Sequence, residues 1–248
     1  MKEGLDLKHA DYREHYRRDG EVFDFEEEVE PGHREANRRL AQEMLGLAGL
    51  KGDEMVLDIG CGSGWLIAAL EKANPRGICG LDISRGQYLK AADPSMPRAP
   101  FVEGDAYYLP VRDESVDVVI MTEVLEHLDR PSAAVRDAAR VLRRGGRLLV
   151  TVPAEEQIRY TLCIHCNRKT PINAHLHTFD FTKLKALLED SGLLFAAGGR
   201  LLNKALIAAR IHLLLKGLPP FMWRMLDRLA GLVLNRWTNI CIRADKPV

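Results

Sequence analysis

The sequence predicts a doubly wound α/β sheet, and three observations carry that expectation. A short apolar run, Met55 to Ile59, breaks into a glycine-rich turn and resumes with helical apolar spacing from Trp65 to Leu70. Strand-like and helix-like stretches then alternate as far as Val152, the pattern of a parallel sheet with right-handed crossovers. Asp58, Asp82, Asp105 and Glu123 fall at the ends of four successive strand-like runs, the edge where ligands of such sheets bind.

Each element follows from its residues. Residues 1–32 are dense in charge and carry Tyr12, Tyr16, Phe23 and Phe25, which predicts a helical cap or lid. From Gly32 to Leu50, Ala36, Leu40, Met44, Leu45 and Leu47 recur at near-helical spacing with basic residues opposite, as in an amphipathic helix on a sheet edge. Strands are expected at Val56 to Ile59, Gly77 to Ile83 and Phe101 to Val102, with a helix at Gln87 to Ala92 and a connection through Pro94, Pro97 and Pro100. Val116 to Met121 is the most β-branched run and reads as a central buried strand. A helix from Ser132 to Leu142, stopped by Gly145 and Gly146, leads to a strand at Arg147 to Val152.

The bulk numbers narrow the function. With 248 residues, 46% of them hydrophobic and 28% charged, the chain suits one large domain over residues 1–248. A formal net charge of zero gives no footprint of a nucleic-acid partner. No apolar core of a secretory signal stands in the first thirty residues, and no window holds about eighteen uninterrupted apolar residues, so a cytoplasmic protein is expected. Five cysteines, an odd number, do not suggest a disulfide framework.

The turn after the first strand is a cofactor cradle by physics alone. Gly60, Gly62 and Gly64 permit positive φ and let a ligand approach the backbone N–H groups that open the next helix. The dinucleotide fingerprint is Gly-x-Gly-x-x-Gly, and its third glycine would fall at Trp65. That bulky residue, with Asp58 two positions before the first glycine, does not suit a pyrophosphate and suits a cofactor bearing a cationic amino group.

Five motifs in order, VLDIGCGSG, GLDIS, GDAYYLP, VDVVIMTEVLEHL and RVLRRGGRLLVTVP, resemble the class I S-adenosylmethionine-dependent methyltransferases of the type 11 group over residues 33–200. The resemblance implies a Rossmann-like sheet of seven strands, the last antiparallel, with Leu194 to Gly198 as the sixth and Asn239 to Ala244 as the seventh. It also implies a cofactor site at Asp58, Gly60, Cys61, Gly62 and Gly64, with Asp82 and Ile83 at the ribose and Asp105 and Ala106 around the adenine. A carboxylate is a good partner for a diol and for an exocyclic amine. Asp58 is expected to organise the loop and the amino-group site, and Glu123 to border the cofactor.

Three segments bear on the acceptor. Glu123, Glu126 and His127 follow the fourth strand; His127 and Glu123 are candidate catalytic groups. Their spacing resembles a divalent-metal site of some quinone-pathway O-methyltransferases, and a structural hydrogen bond is the plainer role for His127. Residues 153–180 form a Cys/His insertion reading C-x2-C-x8-H-x-H, in which Cys163, Cys166, His175 and His177 supply the ligand types of a structural zinc. Free thiols in a loop, with His177 in the approach to a helix capped by Thr182, are the alternative. Residues 200–237 hold seven Lys or Arg against one Asp and predict two basic amphipathic helices broken by Pro219 and Pro220. They fit a peripheral membrane contact, a lid over an apolar acceptor, a plain cover for the sheet edge, or a homodimer interface.

The function expected is methyl transfer from S-adenosylmethionine to a small-molecule or lipid-like acceptor, with O-methylation as the working chemistry. The alternatives are a protein or tRNA methyltransferase that recognises its target through the Cys/His knuckle, and a cofactor-binding protein without catalysis. No Asn-Pro-Pro-Tyr-type motif of amino-group methylation follows the fourth strand.

Overall fold

The computed structural model describes residues 11–23, 31–90 and 99–248. Phe25, Pro94, Pro97 and the end of the helix expected at 87–92 lie outside the described residues. In chain order the elements begin with helices α1 (Tyr12–Val22) and α2 (Pro31–Ala48), then β1 (Met55–Ile59), α3 (Trp65–Glu71), β2 (Gly77–Asp82), α4 (Arg85–Lys90) and β3 (Phe101–Glu103). They continue through β4 (Val116–Thr122), a 3₁₀ turn at Leu125–His127, α5 (Pro131–Val141), β5 (Leu142–Pro153), β6 (Tyr160–Leu162), β7 (Lys169–Pro171) and α6 (Phe181–Glu189). The chain closes with β8 (Leu194–Asn203), α7 (Lys204–Ala208), α8 (Ile211–Leu214), α9 (Pro220–Val233) and β9 (Trp237–Asp245).

Seven strands form one sheet in the order β3-β2-β1-β4-β5-β9-β8, with β9 antiparallel to both neighbours. This is the Rossmann-like architecture expected. Its pleat sorts side chains between two cores. Leu57, Val119, Leu148 and Ile242 face a layer with Ala134, Val135 and Ala138 of α5 and Leu184 of α6. Val56, Val118, Ile120, Leu149 and Cys241 face the opposite layer, with Leu40 and Met44 of α2 and Leu66 and Leu70 of α3. Both sides of β4 are sealed from Val118 to Met121, which is why those four successive residues are apolar.

Three local expectations are corrected. Gly145 and Gly146 do not stop a helix; α5 ends at Val141 and β5 begins at once, with a bulge between the pairs at Val116 and Val118. A Cβ on Gly146 would lie 2.8 Å from the Arg143 carbonyl oxygen, so only glycine lets the strand fold back there. Helix α6 is capped by Asp180, which accepts from Lys183 N at 2.8 Å, and not by Thr182. The carboxylate of Asp180 reaches the third backbone N–H of the helix.

The 200–237 segment also differs from two proline-separated helices. Arg200–Asn203 extend β8, the first helical half is split into α7 and α8, and only the second half, α9, is a full helix. It is anchored from below. Asp227 accepts from Leu202 N at 2.8 Å and Asn203 N at 2.7 Å, and the Arg39 guanidinium stacks 3.9 Å from the centroid of buried Trp223. Trp223 is therefore a core anchor and not a headgroup-facing side chain. Among the described residues no helix is long and apolar enough to cross a membrane.

Candidate active site

A cavity of about 1280 Å³ opens at the carboxyl ends of β1, β2 and β4. The turn 59–63, the β2 end and residues 104–106 make one wall, α1 a second, and the β7 end with residues 172–176 a third. The sequence reading supplied the first wall.

The glycine turn is built as a cradle. Gly60, Gly62 and Gly64 have φ of +71°, +51° and +81°. A Cβ on Gly60 would lie 2.4 Å from Val124 Cγ2, whereas one on Gly62 would meet no protein atom within 4 Å. Gly60 is thus required by packing, and Gly62 leaves open space on the cavity side. Cys61 is buried and packs its sulfur against Gly80, where a Cβ would approach it to 2.9 Å.

The acids divide into different roles. Asp82 accepts from Gly62 N and Ser84 N, both at 2.9 Å, through separate oxygens, and keeps free lone pairs toward the cavity that it lines. Burial raises its pKa, opposed by those N–H groups. Asp58 does not line the cavity; it is 2% exposed behind the loop, and burial, with the Asp82 charge nearby, pushes it up to about 8. Asp105 lines the cavity beside Ala106, but one of its oxygens already accepts from Tyr12 Oη and from Arg13 Nη2 at 2.9 Å, and the other from Tyr107 N at 2.9 Å. Helix α1 is latched onto the site at this point.

At the end of β4, Glu123 sits at φ +53° and receives Asn239 Nδ2 at 3.1 Å. Burial pushes its carboxyl up to about 7. Glu126, one turn on, is 1% exposed, and neither carboxylate oxygen has a hydrogen-bond partner. Burial holds its pKa well above the ordinary range. His127 stands edge-on to Tyr16, with centroids 5.8 Å apart, and to His175, 4.7 Å away. The Glu126 carbonyl accepts Leu176 N at 2.7 Å and His177 N at 3.2 Å, which straps the 175–177 segment to the turn.

The four proposed zinc ligands are not brought together. Cys163 and Cys166 lie on the turn of the β6–β7 hairpin, where the backbone amides of Cys166 and His165 hold the Cys163 thiol below its usual range. His175 stands instead with Glu126 and His127: one ligand atom from each lies within 4.8 Å of the other two. Its Nδ1 meets the Glu156 carboxylate. Sequence reasoning missed Tyr12, Arg13 and Glu156 because no local pattern ties them to partners tens of residues away. The i, i+4 spacing of Tyr12 and Tyr16 was the available signal for a helix turning one aromatic face inward.

Residues 57–150 match the type 11 family model, described as a methyltransferase domain. The 27-O-demethylrifamycin SV methyltransferase of Amycolatopsis mediterranei is 39% identical over 119 residues, 46% of this chain and 44% of that protein. The malonyl-[acyl-carrier protein] O-methyltransferase of Hahella chejuensis is 36% identical over 97 residues, 38% of this chain and 34% of that protein. The chain therefore spans less than half the length of these relatives. Among solved structures, the [4+2]-cyclase SpnF superposes with a TM-score of 0.61 at 23% identity, covering 85% of this chain and 80% of that one. The Burkholderia thailandensis 1,6-didemethyltoxoflavin-N1-methyltransferase, solved with its substrate and S-adenosylhomocysteine, gives 0.61 at 16% identity over 95% of this chain and 87% of that one. These two likenesses concern the fold.

Proposed function

We propose that this chain, which carries an S-adenosylmethionine-dependent methyltransferase domain of the type 11 family at residues 57–150, methylates a hydroxyl group of a small apolar or lipid-like acceptor. The observation that carries the reading is the cavity. At about 1280 Å³ it exceeds the roughly 300–1000 Å³ of an ordinary ligand site, which leaves room for an acceptor beside the cofactor. The names of two relatives, a demethylrifamycin methyltransferase and an O-methyltransferase, point toward oxygen on a small or carrier-bound molecule.

The residues fit S-adenosylmethionine. Gly60 and Gly62 form the open cradle, Asp82 offers lone pairs to a ribose diol, and Asp105 and Ala106 flank the place of the adenine. Bound there, the cofactor supplies a methyl group on a sulfonium sulfur. Glu123, held up to about 7, is matched to take the hydroxyl proton near neutral pH, and His127 on the cavity wall positions the acceptor oxygen. Helix α1 and the β7 end border the cavity on two sides, where they would limit the access of water to the reacting groups.

A lipid-like acceptor, and a peripheral membrane contact with it, is favoured by α9. Phe221, Met225, Leu229 and Leu232 are exposed along one face at helical spacing. The only acid of residues 204–236, Asp227, is buried, while Lys204, Arg210, Lys216, Arg224, Arg228 and Arg236 are exposed. Arg224 is paired with Glu43 at 3.1 Å, and the apolar stripe with the five other cations suits an anionic bilayer surface. Co-sedimentation with phosphatidylglycerol vesicles is expected, and to be lost in a Lys204, Arg210 and Lys216 to Glu variant. Binding equal to that on neutral vesicles would remove the membrane reading.

The methyl-transfer reading is tested by S-adenosylhomocysteine release with hydroxylated apolar acceptors. Glu123→Gln is expected to lower kcat about 10²- to 10⁴-fold while cofactor affinity stays unchanged. Turnover equal to wild type would exclude Glu123 as the base.

A further inference from the structure

We propose that Glu126, His127 and His175 bind one divalent transition-metal ion at the acceptor end of the cavity, with Glu156 orienting His175. Three observations converge there. The ligand atoms of these residues lie within 4.8 Å of one another, the one such group of three among the described residues. Around a four-coordinate ion with bonds of about 2.1 Å, neighbouring ligands stand about 3.4 Å apart, so rotations of about an ångström close the set. Glu126 is 1% exposed with both oxygens lacking a hydrogen-bond partner, a state that a buried carboxyl sustains only with a proton or a cation.

The third observation is orientation. The Glu156 carboxylate engages Nδ1 of His175, which leaves Nε2 as the free ligand atom, the arrangement in which a second carboxylate fixes the tautomer of a metal-bound imidazole. The strap from Glu126 O to Leu176 N and His177 N, at 2.7 and 3.2 Å, holds the 175–177 segment beside the 3₁₀ turn, so the site joins two elements separated by some fifty residues.

Two imidazoles and one carboxylate form a nitrogen and oxygen set suited to Zn²⁺, with a fourth position left for water or a ligand. His127 and His175 line the cavity, so that position faces the acceptor space. The inference deepens the methyl-transfer reading: a hydroxyl oxygen at the open position would be acidified and aimed, and His127 would act on it through the ion. It also moves the expected zinc away from Cys163 and Cys166.

The test is a Zn²⁺ titration of chelator-stripped full chain against a chromophoric competitor, in wild type and in a Cys163→Ser/Cys166→Ser background. One equivalent is expected to bind in both. In the serine background, Glu126→Gln and His175→Ala should each weaken binding on the order of 100-fold, and Glu156→Gln by about 10- to 100-fold. S-adenosylhomocysteine affinity, measured in parallel, should stay within about threefold in every variant; its loss in wild type would count against the cofactor reading and leave the ion result standing. Zinc lost with the two cysteines, or binding unchanged by Glu126→Gln, would overturn the proposal. Should Glu126→Gln fail to fold, anomalous diffraction from zinc-soaked wild-type crystals decides, since the proposal requires a peak between Glu126, His127 and His175.

Discussion

Replacing Gly60 and Gly62 by alanine separates packing from ligand contact within a single turn. Both glycines sit at positive φ, +71° and +51°, so an alanine at either pays about 1–2 kcal/mol for the left-handed backbone. There the likeness ends. The new methyl at position 60 would lie 2.4 Å from Val124 Cγ2, far inside contact distance, and Val124 is wedged between Glu123 and the turn of Glu126 and His127. Overpacking of that kind adds about 1–3 kcal/mol, for a total near 2–5 kcal/mol. At position 62 no protein atom lies within 4 Å, so the backbone term stands alone. Urea unfolding should therefore rank Gly60→Ala as the clearly less stable variant. Calorimetry with S-adenosylhomocysteine should show Gly62→Ala weakened about 10- to 100-fold, close to 1.4–2.8 kcal/mol, because its methyl enters the space of the ligand. Wild-type affinity in Gly62→Ala would refute the cradle, and equal stability of the two variants would refute the Val124 argument.

Asp82→Asn should weaken S-adenosylhomocysteine about 100-fold, since an amide cannot accept from Gly62 N, Ser84 N and a diol together; an unchanged isotherm would put the ribose elsewhere. Asp58 gives a pH dependence. Its carboxyl titrates near 8 when folded and near 4 when unfolded, so the folded state holds an extra proton across that window. Stability of the cofactor-free protein from this group is fully present below about pH 4, falls by up to about 1.4 kcal/mol per unit, and levels above about 8. Thermal melts from pH 5 to 9 should show a shallower decline in Asp58→Asn, and parallel curves would contradict the assignment. Arg13→Ala removes the exposed half of the α1 latch on Asp105, an ion pair that solvent screens, and should leave the melting temperature close to wild type. The same variant should speed S-adenosylhomocysteine dissociation about tenfold in stopped flow; an unchanged rate would mean that α1 does not gate the site.

The sheet was legible because its signal is local and repeated. Apolar runs alternating with helical stretches located β1, β2 and β4 to within a residue, and Asp58, Asp82 and Glu123 at their ends marked the ligand edge, whereas β9 followed from the family resemblance. Where one residue served two competing devices, the reading slipped. Gly145 and Gly146 resemble a helix stop, yet they serve a strand bulge, a choice set by the neighbouring Asp117 and Arg143 backbones and not by adjacent sequence. The same holds for the histidines. His175 lies nine residues after Cys166 in a chemically plausible zinc pattern, but the strap to the Glu126 carbonyl carries it across the cavity to His127. Trp223 makes the same point: it lies within the basic amphipathic run, and the Arg39 guanidinium beneath α9 holds it in the core.

The central claim is that the 55–128 turns and strand ends hold S-adenosylmethionine in the cavity below α1. Crystals grown with S-adenosylhomocysteine test it most directly. The ribose hydroxyls are expected against Asp82, the adenine between Asp105 and Ala106, and the amino-acid end over Gly60 and Gly62, with the space toward Glu123 and His127 open to an acceptor. Density for the ligand outside this cavity, or no binding at saturating ligand, would contradict it.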